Sequence, residues 1–133
     1  MTTRARIAGG DAGSPAWALA DIDGQLYKRE VDAGHETWAP VAAVAEADGL
    51  SFLCPACLDA HGDDDVGTHS VMCWFVGRVP DDVSPKPGRW TPAGSTIADI
   101  TFIPSAGRSV SILLTGDGCK WHGHIRNGRA VLR

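Results

Sequence analysis

Two short pairs of soft ligands stand out in the chain. Cys54-Pro-Ala-Cys57 sets two thiols three residues apart, and Cys119-Lys-Trp-His122 sets a thiol and an imidazole at the same spacing. A turn carrying two such residues can grip a single ion, and Pro55 stiffens the first of these turns. Three sulfurs and one imidazole form a closed tetrahedral set suited to Zn2+, with no position left for water. The predicted metal ligands are therefore Cys54, Cys57, Cys119 and His122. Such an ion would pin an early loop to a C-terminal hairpin and close a long stretch of chain, where a crosslink gains most in principle.

Other chemistry competes for the same residues. A lone Cys-x-x-Cys also suits a redox dithiol, but that motif expects a strand before it and a helix after it in an α/β pattern. Leu58-Asp-Ala-His-Gly-Asp-Asp-Asp propagates a helix poorly. Two unrelated pairs of buried cysteines are the blander alternative. Cys73 lies inside the apolar run Val71 to Val76 and reads as a small core residue. His124 is two residues beyond His122 and shares its side of a strand, so it is an alternative ligand. His61 and His69 flank Asp63-Asp64-Asp65. Consecutive carboxylates point in different directions, so this reads as an acidic solvated loop, with His69 fixing the start of a strand by hydrogen bonding.

Catalytic signatures are scarce. No serine has a nucleophile-elbow context, no glycine-rich loop matches a phosphate cradle, and no His-Glu-x-x-His occurs. Zinc hydrolases need an open coordination site and a nearby carboxylate as general base. Glu46 and the aspartate run are the acids nearest in sequence, and neither sits at a diagnostic offset.

The elements that would position the ligands are short. Glycine and proline together supply 24 residues (16 and 8) spread along the chain, which favours many brief strands joined by turns over a helical bundle. A hairpin is predicted around Asp23-Gly24, with Trp17 to Ile22 and Gln25 to Lys28 as its strands. Arg29 to Glu36 reads as polar and turn-like. Pro40 opens an alanine-rich stretch that predicts a short helix ending at Asp48-Gly49. Strands are predicted at Leu50 to Leu53, His69 to Val76, Ile97 to Ile103 and Ser109 to Leu114, with a long irregular connection over 79–95. A final hairpin is predicted around Asn127-Gly128, between Trp121–Arg126 and Ala130–Arg133. The expected fold is mainly β (small α+β), with six to eight short strands and one short helix pinned by a structural zinc.

The 133 residues fit one domain, here divided into an N-terminal hairpin and helix (1–47) and a zinc-binding β core (48–133). The net charge of −4 is uneven. Residues 105–133 carry Arg108, Lys120, Arg126, Arg129 and Arg133 against Asp117, a net +4 that leaves −8 for the remainder. A basic end can attract nucleic acid, but no aromatic-basic motif of a nucleic-acid module is present, so an unevenly charged surface is expected. No apolar run has the length of a signal peptide core or a membrane span, which predicts a soluble protein maturing in a reducing cytoplasm.

Five motifs occur in a fixed order: Phe52-Leu-Cys-Pro-Ala-Cys57, Gly67-Thr-His-Ser-Val-Met-Cys-Trp-Phe75, Arg89-Trp-Thr-Pro-Ala-Gly94, Asp99-Ile-Thr-Phe-Ile-Pro-Ser105 and Cys119-Lys-Trp-His-Gly-His-Ile-Arg-Asn-Gly128. Across about residues 48 to 130 this series resembles a family of short bacteriophage and prophage proteins, domain-of-unknown-function family 6527. Some members carry an inherited label of ammonia monooxygenase, which nothing in these residues supports. The resemblance implies a cysteine knuckle and a cysteine-histidine hairpin, with Cys54, Cys57, Cys119 and His122 at the ligand positions. His124 falls where an aromatic residue is common in similar proteins. The insert around Asp63 to Asp65 and the N-terminal 45 residues depart from the compact family pattern. The resulting expectation is a phage- or prophage-encoded, non-enzymatic zinc-binding protein that binds a virion or host protein, in the host cytoplasm or the virion. The competing expectation is a zinc-dependent hydrolase or a nucleic-acid-modifying or -binding protein.

Overall fold

A computed structural model describes residues 6–8, 15–60, 68–86, 88–105, 108, 110–114 and 121–132. Cys119, His61 and Asp63 to Asp65 lie outside them. Eleven strands are described: β1 (Arg6–Ala8), β2 (Pro15–Ala18), β3 (Gln25–Asp32), β4 (His35–Val41), β5 (Gly49–Leu53), β6 (Ser70–Trp74), β7 (Thr91–Ala93), β8 (Thr101–Ile103), β9 (Ile112–Leu113), β10 (His122–Arg126) and β11 (Arg129–Leu132). One six-residue helix, α1 (Pro55–Ala60), follows β5. The chain is thus mainly β. It has more strands than the six to eight expected, because two- and three-residue strands leave no periodic trace in a sequence.

The strands form a five-stranded sheet in the order β1-β2-β11-β10-β9, a four-stranded sheet in the order β4-β3-β5-β6, and the pair β7-β8. All the strand pairs are antiparallel. Alternation decides which side of each sheet is buried. Leu26, Leu50, Phe52, Val71 and Cys73 of the four-stranded sheet join Trp17, Ile112, Ile125 and Ala130 of the five-stranded sheet in one apolar cluster. Phe52 meets Trp121 edge-on at 5.8 Å, and Phe102 of β8 stacks on Trp90 at 5.8 Å.

Two predicted elements take another form. Asp23-Gly24 does not join a hairpin. Leu19–Ile22 coil into a 3-10 turn that buries both Leu19 and Ile22, and Asp23 leaves it with φ of 57°. The flanking strands then belong to different sheets, β2 pairing with β11 and β3 with β4. The helix predicted from Pro40 is also absent. Pro40 and Val41 extend β4, where Val41 pairs with Leu26, and only Val44–Glu46 make a single 3-10 turn. Proline's fixed φ suits an extended edge strand as well as a first helical turn, and here the pairing with β3 decides.

The hairpin lies at Arg29 to Glu36 instead, the stretch read as merely turn-like. Seven residues of β3 pair with seven of β4 across a two-residue turn, Ala33 and Gly34, whose φ values are 50° and 82°. Two positive φ angles make a type I′ turn, whose twist matches that of the strands. The Asn127-Gly128 hairpin forms as predicted, with φ of 47° and 73°. The connection after β6 is irregular up to Arg89, which organises it, but β7 (Thr91–Ala93) occupies part of the stretch expected to be irregular over 79–95. The Arg89 guanidinium is buried and donates to the carbonyls of Val79, Pro80, Val83, Pro85 and Gly88 at 2.5 to 3.4 Å.

Candidate metal centre

The site grows out of the pairing of β5 with β6. Leu53 pairs with Ser70, so the residue after β5 and the residue before β6 face each other. The Cys54 N–H donates to the His69 carbonyl at 2.9 Å, which prolongs the ladder by one step. At Cys54 the chain turns into α1, and the Leu58 N–H closes the first turn on the Cys54 carbonyl at 3.1 Å. That turn carries Cys57 back toward the β6 end.

Cys54, Cys57 and His69 are the result. Their ligand atoms all lie within 4.8 Å of one another, with both cysteines buried and His69 exposed. Cys57 Sγ and His69 Nδ1 are 3.4 Å apart. A tetrahedral zinc with typical bond lengths would set a sulfur and a nitrogen about 3.6 Å apart, so the spacing fits a shared ion. Two sulfurs and an imidazole also make the donor chemistry that zinc favours. This group can hold a metal ion. Among the described residues no carboxylate belongs to it.

The predicted ligands divide. Cys54 and Cys57 come together, and Cys119 lies outside the described residues. His122, on β10, is not part of the described group, and its Nε2 lies 3.0 Å from Ser111 Oγ. His124 is half-buried on the same strand and is likewise not part of the group. Cys73 is fully buried in the apolar cluster. Burial pushes its thiol well above the usual range, so it remains a protonated core residue.

The sequence predicts His69 as a hydrogen-bonding residue at a strand start. Its carbonyl does that, and its side chain in addition faces Cys57. The signal for it is positional: the cysteine knuckle directly ends one strand and the histidine directly precedes the next. The helix after Cys54 also forms, despite its poor sequence, but it sits among antiparallel strands and not in an α/β pattern.

No helix of the described residues is long and apolar enough to cross a membrane. No family model matches the chain, and no curated protein or solved structure matches it significantly.

Proposed function

We propose that this is a small zinc-stabilised β protein of phage or prophage origin that works by binding another protein of the virion or host. Its zinc is structural, held by Cys54, Cys57 and His69, with Cys119 as the fourth ligand. The observation that supports the zinc site is the convergence of two buried thiols and an imidazole within 4.8 Å of one another, with no carboxylate in the group among the described residues. Cys119 is favoured by reach. Trp121, two residues after it, packs against Phe52, two residues before Cys54. Two residues of chain span at most about 7 Å on each side, so a thiol at 119 can arrive at the group. A closed set leaves no position for substrate water and suits a structural role.

Elemental analysis of protein purified without added metal, followed by cobalt substitution, tests the proposal. One zinc per chain, and a sulfur-to-cobalt charge-transfer band that weakens in Cys119→Ser, are the expected results. A metal-free protein whose melting ignores chelators would overturn it. The exposed side of His69 supports a second reading, in which water takes the fourth position of a zinc hydrolase. Retention of zinc and of the full cobalt spectrum in Cys119→Ser would favour that reading over the first.

A further inference from the structure

The β3–β4 hairpin extends beyond its sheet. β5 pairs with β3 only through Gln25, Leu26 and Tyr27, so Lys28 to Ala39 form a two-stranded arm. Its two edges differ. In a hairpin with a two-residue turn, the flanking pair is hydrogen-bonded and the pattern then alternates. Asp32–His35, Glu30–Thr37 and Lys28–Ala39 are therefore the bonded pairs, and the residues between them turn their backbone groups outward. The β3 edge agrees: the Arg29 N–H points outward and is taken by Asp48 Oδ2 at 2.8 Å, while the Tyr27 carbonyl accepts from the Asp48 N–H at 2.7 Å. Asp48 thus blunts that edge.

By the same alternation, Glu36, Trp38 and Pro40 turn their backbones to the outer edge of β4. Among the described residues no strand pairs there. Val31 and Trp38, exposed at 56% and 41%, share the arm's outer face. Trp38 is already held in place. Its ring meets Trp74 edge-on at 5.1 Å, and its Nε1 donates to Glu36 Oε1 at 2.9 Å. A pre-positioned aromatic loses little freedom on binding.

We infer that a second copy of this chain pairs with the β4 edge, antiparallel and two-fold symmetric about Thr37. Proline selects this register. Centring on Thr37 sets Glu36 against Trp38 of the other copy twice, giving four backbone hydrogen bonds, and Pro40 falls opposite the turn where no donor is required. Centring on Trp38 would set Glu36 against Pro40, which has no N–H to give. In the Thr37 register the two Trp38 rings are diagonal neighbours, about 7 Å apart at Cβ and within aromatic reach. The two Thr37 side chains meet on the opposite face. Charge does not oppose the pairing, since Arg29 binds Glu36 in its own chain at 2.6 Å and neutralises it. The pairing involves no metal ligand and stands independently of the zinc site.

Sedimentation of the zinc-loaded full chain over a concentration series tests the inference, with Glu36→Pro as the key variant. That proline removes an outward N–H and no internal ladder bond, so the fold should persist by circular dichroism. We expect a monomer–dimer equilibrium whose dissociation constant rises at least tenfold in Glu36→Pro. Should that variant fail to fold, Thr37→Cys supplies the second readout: oxidation should yield a disulfide-linked dimer, with peptide mapping placing the bond between the two introduced thiols. A wild-type chain that stays monomeric at every concentration, an association that a folded Glu36→Pro leaves intact, or a Thr37→Cys chain lacking the crosslink would each overturn the pairing. An edge that instead accepts only a strand of another protein would appear as the first of these.

Discussion

At the scale of single residues, the candidate centre makes two histidines and two thiols distinguishable. His69→Ala should weaken metal binding by more than the roughly 10- to 100-fold typical of outer-shell partners, as read by chelator competition. His122→Ala should leave metal affinity nearly unchanged, because that imidazole faces Ser111. Cys57→Ala should lose the metal, whereas Cys73→Ala should keep one ion per chain. Cys73→Ala should instead lower stability in urea by about 1–2 kcal/mol, the effect of deleting a small buried side chain. The two cysteines of the knuckle were legible because Cys-x-x-Cys is a local signal, complete within four residues. His69 was not. Its approach to Cys57 depends on β5 pairing with β6, and no local spacing encodes that register. His122 lies on β10, the hairpin strand expected for it, and its predicted partner Cys119 lies outside the described residues.

At the scale of elements, two side chains hold irregular chain that no sheet can hold. Arg89 satisfies five carbonyls from a buried position, and burial pulls its pKa down from the usual guanidinium value while Asp81 opposes this. Arg89→Ala should cost about 3 kcal/mol or more in chemical denaturation, because the connection loses a buried guanidinium that gathers five of its carbonyls. Arg89→Lys should recover only part of it, since an ammonium lacks the planar fork. Asp99 caps the turn before β8, its Oδ1 accepting the N–H groups of Ser95 and Thr96 at 2.9 Å. The bonds from Thr96 and then Ser95 hold its carboxyl below the usual range. A depressed folded pKa gives stability that is present above the unfolded value of about 3.9 and is lost as pH falls through the lower folded value. Asp99→Asn should therefore lower the melting temperature at neutral pH and shrink the difference from wild type in strong acid. The Asn127-Gly128 hairpin was legible because its turn residues demand positive φ. The Ala33-Gly34 hairpin was hidden by an alanine that adopts αL against its preference, and by polar strands exposed on both faces.

At the scale of the molecule, aromatic contacts join parts that are distant in the chain. Phe52→Ala should destabilise by about 3–5 kcal/mol, as buried phenylalanines do. It should also weaken zinc binding, since Phe52 lies on the strand leading to the knuckle and against the chain entering β10. Chelation of a structural ion should lower the melting temperature by about 10 °C or more in calorimetry. The β-rich class was legible from the spread of glycine and proline. The partition into three sheets was not, because it follows from long-range pairing.

The strand order of the five-stranded sheet has a consequence in time. β2 lies between β1 and β11, so its partner is synthesised more than a hundred residues later. The four-stranded sheet, by contrast, is complete once Trp74 has been made. On the ribosome, the knuckle and its sheet can assemble early, while β1 and β2 wait with one edge unsatisfied. Contacts so remote in sequence slow folding and leave an open strand exposed meanwhile. The early sheet and its cysteines would then serve as the platform on which the two ends of the fold finally meet.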